Sequence, residues 1–451
     1  MKTIKFKPFI ILVFIFALGL GVGYGIFGHK GFDLNQTQVQ KDPYIAFLDE
    51  TYDKIKENYW DIVSDEQLVN LYKLAAEKIT GKTQKLETHV KATPQPAGIS
   101  LDLQGTSIQT PAPVAGQKQA LEKMIGNILK DLDDSKKIEF SKTLVTSVLA
   151  NLAPNGRSGL YTQKQEEQLK NTVQNINPGK DLYKDLGLAK GATKEEVEKA
   201  YQEKAVTADK ETLKQIAYAK DVLTQESQKK SYDSSKVEPT VFSKIYPGQI
   251  AYIKFLKFSP TTYNEFIQFV ATFDKPNGPK ALIFDLRDNV GGAIDSLPFF
   301  LGNFLGDKQA AYEFLHKGEY ESFKTTGQKL SGLTRLKQVV ILINRGTQSS
   351  AELLASALKK YHFGVLIGEA SKGWGTVEKI FPIDHQIDPK EKLSLFLVHS
   401  ITIGENGQPI EGKGVEPNIN IKDPNWEGSL FDYFRNPELS SAVKAIYSNP
   451  D

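Results

Sequence analysis

Val339-Val340-Ile341-Leu342-Ile343-Asn344-Arg345-Gly346-Thr347-Gln348-Ser349-Ser350-Ala351-Glu352-Leu353-Leu354-Ala355-Ser356-Ala357-Leu358 is the stretch on which the reading of this chain turns. Its opening run, up to Asn344, is apolar and β-branched, the pattern of a buried strand. From Ala351 onward the run is helix-like. Between the two, a short polar turn delivers Ser349 to the start of the helix. The first N–H groups of a helix have no partner within it, so a serine presented there stands beside donors able to stabilise an oxyanion. The same serine is also a good helix N-cap, and the turn alone leaves both readings open.

Three further blocks widen the pattern: Ala281-Leu282-Ile283-Phe284-Asp285-Leu286-Arg287-Asp288-Asn289-Val290-Gly291-Gly292, then Gly368-Glu369-Ala370-Ser371-Lys372-Gly373-Trp374-Gly375-Thr376-Val377, then Gly407-Gln408-Pro409-Ile410-Glu411-Gly412-Lys413-Gly414-Val415-Glu416-Pro417. In this order and at these spacings the blocks resemble the carboxyl-terminal processing (tail-specific) serine peptidases over roughly residues 240–423. Tyr52-Asp53-Lys54-Ile55-Lys56-Glu57-Asn58-Tyr59 is similar to that family's opening helix. The resemblance implies an α/β core of the ClpP/crotonase-like type. It also implies Ser349 as nucleophile, and an oxyanion hole made of the Ser350 N–H with that of Gly291 or Gly292.

One expected part is missing. The family places a lysine 25 residues beyond its serine and a glutamine four further on, and this chain has Trp374 and Glu378 there. An indole N–H donates but offers no basic nitrogen, so Trp374 cannot take a proton from Ser349. Lys372 lies two residues earlier. It becomes a candidate base if a local slip brings its amine to the site and burial leaves it neutral, and is otherwise a solvated loop lysine. Two functions follow from the resemblance. One is serine-type endoproteolysis of exposed or unstructured polypeptide segments. The other is a catalytically degenerate scaffold that binds polypeptide or regulates a partner.

Composition narrows the field. Charged residues make up 24% of the 451, with a net charge of +2, which argues against a nucleic-acid partner. Without cysteine there is no disulfide, thiolate metal site or cysteine-linked lipid anchor. No His-Glu pair stands at metal-ligand spacing, so neither a metal nor another cofactor is expected. Of the six histidines, only His399, in the strand-like run Leu395-Phe396-Leu397-Val398-His399-Ser400-Ile401, is a candidate neighbour of the serine.

The N-terminus sets the expected address. Lys2, Lys5 and Lys7 precede an uncharged apolar stretch at 9–27, long enough for one transmembrane helix. Residues 1–8 would then stay cytoplasmic and the bulk of the chain would face outward. A helical region is expected at 42–176, with Ile55, Tyr59, Leu68, Leu71, Leu74 and Ile79 in its core and a disordered, proline-bearing insertion at 83–119.

Where the family usually carries a PDZ domain, residues 181–233 resemble a J-domain, an all-α hairpin that stimulates ATP-driven chaperones. Thr193 and Glu196 form a capping-box pattern at a helix start. The loop Ala205-Val206-Thr207-Ala208-Asp209-Lys210-Glu211 lacks the His-Pro-Asp by which J-domains act. A spacer or docking module is therefore expected, and no chaperone partner. The resemblance implies a peptidase domain over 240–423, with 424–451 as a C-terminal tail.

Overall fold

The computed structural model describes residues 41–86, 115–275 and 277–448, of which those from 42 onward group as one unit. Four helices come first: α1 (Pro43–Asn58), α2 (Asp65–Thr80), α3 (Ala115–Lys130) and α4 (Asp134–Ala150). Their starts follow from local chemistry. Asp42 accepts from the Tyr44 and Ile45 N–H groups ahead of Pro43, Ser64 and Gln67 close a reciprocal capping box, and Asp133 caps α4. The buried stripe of α2 is Leu68, Val69, Tyr72, Ala75 and Ala76. Leu74, expected in the core, lies about 200° round the helix from Tyr72. It is 52% exposed.

The expected insertion at 83–119 ends earlier than the composition suggested, because Ala115 to Gln119 already belong to α3. Residues 87–114 and the apolar stretch 9–27 lie outside the described residues. Among the described residues, no helix is long and apolar enough to cross a membrane.

A short strand, β1 (Gly159–Thr162), leads into α5 (Gln163–Gln174), and then a separate helical module begins. It comprises α6 (Leu182–Asp185), α7 (Lys194–Ala205), α8 (Lys210–Thr224) and α9 (Glu226–Ser235). Leu182, Tyr183, Val197, Ile216, Val222 and Tyr232 give it a core of its own. The Thr193–Glu196 capping box forms as expected. The module's two ends meet, since Ile176 and Val237 pair as an isolated antiparallel bridge.

The remaining chain runs β2 (Val241–Tyr246), β3 (Ile250–Phe255), α10 (Thr262–Val270), β4 (Ala281–Asp285), α11 (Leu297–Leu305), β5 (Ala310–His316) and β6 (Glu319–Lys324). It continues through α12 (Ser331–Thr334), β7 (Gln338–Ile343), α13 (Ser350–Lys360), β8 (Val365–Gly368), β9 (Thr376–Pro382), β10 (Leu393–Ile403) and β11 (Ile419–Asn420). Two helices close it, α14 (Trp426–Phe434) and α15 (Pro437–Ser448).

One sheet has the order β11-β8-β7-β4-β3-β2, with β2 antiparallel at its edge and the other pairs parallel. Both faces are covered, which is why β4 and β7 are apolar over Ala281 to Phe284 and Val339 to Ile343. Leu282, Phe284, Ile341 and Ile343 face Phe266, Phe300 and Leu354 of α10, α11 and α13. Ile283, Val340 and Leu342 face Leu430, Leu439 and Val443 of α14 and α15. Within the C-terminal tail, two helices between Trp426 and Ser448 thus seal the back of this sheet.

The second sheet has the order β1-β10-β5-β6, with β9 also paired to β10. Leu395, Leu397 and Val398 of β10 share a core with Phe47, Ile55, Leu68, Leu144 and Val148, so the four N-terminal helices rest on this sheet.

Candidate active site

The turn after β7 is tied to the turn after β4 by side-chain amides. Asn344 Oδ1 accepts from the N–H groups of Gly346 and Asp288, both at 2.9 Å. Asn289 is fully buried and donates to the Phe255 carbonyl at 3.0 Å. Its own carbonyl accepts the Gln348 N–H at 2.9 Å. The two turns are thereby set against each other at the carboxyl ends of parallel strands, where open α/β sheets place their sites.

Ser349 sits at the point of contact with φ 57° and ψ −124°. A non-glycine residue held there costs on the order of 1–3 kcal/mol, strain that clusters at functional sites. Gly291 is its immediate neighbour: a Cβ added there would stand 2.6 Å from Ser349 Cβ and 3.1 Å from its Oγ. A Cβ on Gly292 would lie 2.0 Å from the Phe258 carbonyl oxygen, so glycine is obligatory at that position too.

Of the amides expected to bind an oxyanion, that of Gly291 is taken by Asn289 Oδ1 at 2.9 Å. The N–H groups of Gly292 and Ser350 make no hydrogen bond among the described residues. The Ser350 hydroxyl donates to the Gly292 carbonyl at 2.9 Å and holds these two residues together. The pair available for an oxyanion is therefore Gly292 with Ser350.

Glu352, which the sequence offered only as a residue of the helix's first turn, organises the rest. It is 0% exposed, and its two oxygens accept four hydrogen bonds. These come from Ser349 N–H at 2.8 Å, Trp374 N–H at 2.9 Å, Gly373 N–H at 2.7 Å and the Ser371 hydroxyl at 2.5 Å. Burial pushes its carboxyl pKa up, while the four donors pull the other way. The spacing Ser349-x-x-Glu352, a capping-box pattern, is the sequence signal that could have found it.

The loop held by Glu352 carries the departures from the family pattern. Lys372 is exposed, with its ammonium 4.9 Å from the centroid of the Trp374 ring. Its side chain lies in solvent rather than in a closed pocket. The Trp374 Nε1–H donates to Glu378 Oε1 at 3.3 Å, as does the Thr376 hydroxyl at 2.5 Å. Burial raises the Glu378 pKa, against these two hydrogen bonds and the nearby Arg157 charge.

His399 lies elsewhere. It sits at the bulge of β10 between Val398 and Ser400, stacked on His316 at 4.3 Å, with Lys379 Nζ 3.3 Å from its Nε2. None of these neighbours belongs to the Ser349 site. Its pKa is pushed down to about 4 by burial and by the charges of Lys379, His316 and Lys317.

Comparison with known proteins adds a family to this geometry. Residues 249–421 match Peptidase family S41. A carboxy-terminal processing protease of Bacillus subtilis, CtpA, is 30% identical over 195 residues, covering 43% of this chain and 39% of that protein. A carboxy-terminal-processing protease of Bartonella bacilliformis is 29% identical over 191 residues, covering 39% and 40%. The chain thus spans about two-fifths of the length of these relatives. Among solved structures, a photosystem II D1 C-terminal processing protease aligns with 85% of this chain and 94% of its own, at 15% identity and a TM-score of 0.41. The segment from 249 to 421, which carries Ser349, the glycine turn and the Glu352-bound loop, is the part of this chain that is similar to Peptidase family S41 and to its carboxy-terminal processing proteases.

Proposed function

We propose that this chain is a serine-type endopeptidase acting on exposed or unstructured polypeptide. The observation that carries this reading is the Ser349 backbone, held at φ 57° against Gly291 at the head of α13. Ser349 Oγ would attack a peptide carbonyl carbon while the carbonyl oxygen, gaining charge, turns to the Gly292 and Ser350 N–H groups. The amine leaves with a proton, and water then hydrolyses the acyl-serine.

The Ser349 proton needs an acceptor. Lys372 is exposed, whereas Glu378 is half-buried and its affinity for a proton is raised, the direction that makes a carboxylate a stronger base. We assign Glu378 that role. The test is cleavage of fluorescently labelled, unfolded casein by the full chain in detergent. Wild type should cleave and Ser349→Ala should not.

A second reading has its own observation. The position at which related peptidases carry a lysine holds an indole, with one cation against its ring at 3.4 Å and another at 4.9 Å. If wild type binds the labelled casein without cutting it, the chain is a polypeptide-binding scaffold.

The stretch 9–27 would anchor the protein, with the described residues facing outward. Protease added to intact cells should then digest them. The module at 181–233 would serve as a J-like docking unit without chaperone stimulation, and a rise in a chaperone's ATPase rate on adding the protein would refute that.

A further inference from the structure

Arg157 lies outside the segment that matches family S41, in the link between α4 and β1, yet it reaches the site. Its guanidinium carbon stands 3.4 Å from the centroid of the Trp374 ring. Arg157 Nη2 bonds Glu411 Oε1 at 3.1 Å, and the other Glu411 oxygen accepts the Gly375 N–H at 2.7 Å. Both side chains are only 17% exposed. Among the described residues Arg157 Nη1 is buried with no hydrogen-bond partner, so the guanidinium is held by the Trp374 ring and Glu411, with the Glu378 charge nearby. The residue thus touches the loop directly at the Trp374 indole and, through Glu411, is linked to the next residue's amide at Gly375.

From Trp374 the connection runs inward, because its N–H shares Glu352 Oε2 with the N–H of Ser349. From Arg157 it runs outward to the N-terminal helices. The Ala153 carbonyl accepts from the Trp60 indole N–H at 2.7 Å and from the Tyr59 hydroxyl. The Ser158 hydroxyl accepts the Val398 N–H at 3.1 Å, and β1 pairs with β10.

We infer that Arg157 is a positioning residue of this site, which holds Trp374 and the 371–376 loop against the Ser349 turn. The four N-terminal helices are by this route part of the apparatus that sets the serine's surroundings. Lysine cannot replace it fully, because an ammonium pairs with Glu411 but lacks the plane that lies on the indole. The catalytic consequence rests on the peptidase reading; the placement of Trp374 does not.

The test uses the full chain labelled with 5-fluorotryptophan, in which the Trp374 fluorine resonance is the one lost in Trp374→Phe. Arg157→Ala should shift that resonance and enlarge its change between H2O and D2O. Arg157→Lys should fall between. On labelled casein, Arg157→Ala should lower kcat by about 10-fold or more with KM changed far less, as expected for misplaced rather than missing groups. Thermal denaturation identifies any variant that fails to fold, and Arg157→Lys is read if Arg157→Ala does. An unchanged Trp374 resonance would overturn the inference, as would a shifted resonance with unchanged kcat. If wild type does not cleave, the peptidase reading fails, and the fluorine signal still decides whether Arg157 positions Trp374.

Discussion

The backbone N–H groups of Ser349 and Trp374 donate to one and the same oxygen of Glu352, at 2.8 and 2.9 Å. The turn that presents the serine and the loop that carries the altered base position are thereby a single unit. Glu352→Gln would turn an amide NH2 toward two existing donors. It should cost about 2–4 kcal/mol of stability, the scale for breaking a buried charged hydrogen-bond set. Urea denaturation measures it. Ser371→Ala, which removes one donor and leaves the carboxylate its three amides, should cost less.

Gly291→Ala should slow catalysis sharply with the fold intact. A methyl group would stand 2.6 Å from Ser349 Cβ and 2.9 Å from the Gln348 carbonyl oxygen, at a backbone φ of 79°. Moving the serine by such an amount should lower kcat/KM roughly 100-fold. Gly407→Ala is the control, since Gly407 has φ 73° and open space around it. It carries the same backbone penalty without the collision and should keep its activity.

Glu378→Gln should slow catalysis by about 10²–10⁴, the range for loss of a general base, and Lys372→Ala should have a small effect. The two variants also separate by stability. The Glu378 pKa is raised in the folded state, so the proton it holds stabilises the fold below its ordinary value of 4.5, and that contribution is lost as pH rises through the folded pKa. Glu378→Gln should therefore be more stable than wild type at pH 7–8, measured by urea midpoint, while being the less active enzyme.

His399 gives the opposite slope. Its folded pKa is lowered from 6.5 to about 4, so the unfolded chain binds the proton more readily. The stability this confers is complete above pH 6.5 and is lost as pH falls toward 4. His316, Lys379 and Lys317 face it, and each resists a further positive charge. His399→Phe, which keeps a ring on the His316 face, should flatten the fall in urea midpoint between pH 7 and pH 4.5. Activity at pH 7 should not change.

The central sheet was legible because β4 and β7 are buried on both faces and run apolar without a break over Ala281 to Phe284 and Val339 to Ile343. Ser349 and the paired glycines were legible for a similar reason, being local turns with local demands. Glu352 was not singled out, since three of its four donors come from a loop about twenty residues on and no short-range pattern announces them. Arg157 left no signal: its partners Trp374 and Glu411 are brought to it by the pairing of β1 with β10. His399 was drawn toward the site by its strand context, but the β10 bulge places it against His316. The C-terminal helices could have been read from Leu430, Phe434, Leu439, Val443 and Ile446, whose spacing is helical.

The bridge between Ile176 and Val237 has a consequence for how this chain was assembled. Residues directly opposed in an antiparallel pair lie about 5 Å apart, a gap that a residue or two can close. To the rest of the chain, everything from 177 to 236 is one excursion that leaves and returns at almost the same point. Such a module can be exchanged for another of different size or architecture without reregistering a single strand of the core. A peptidase-like core with this junction is a socket, and the helical module is what this protein has plugged into it.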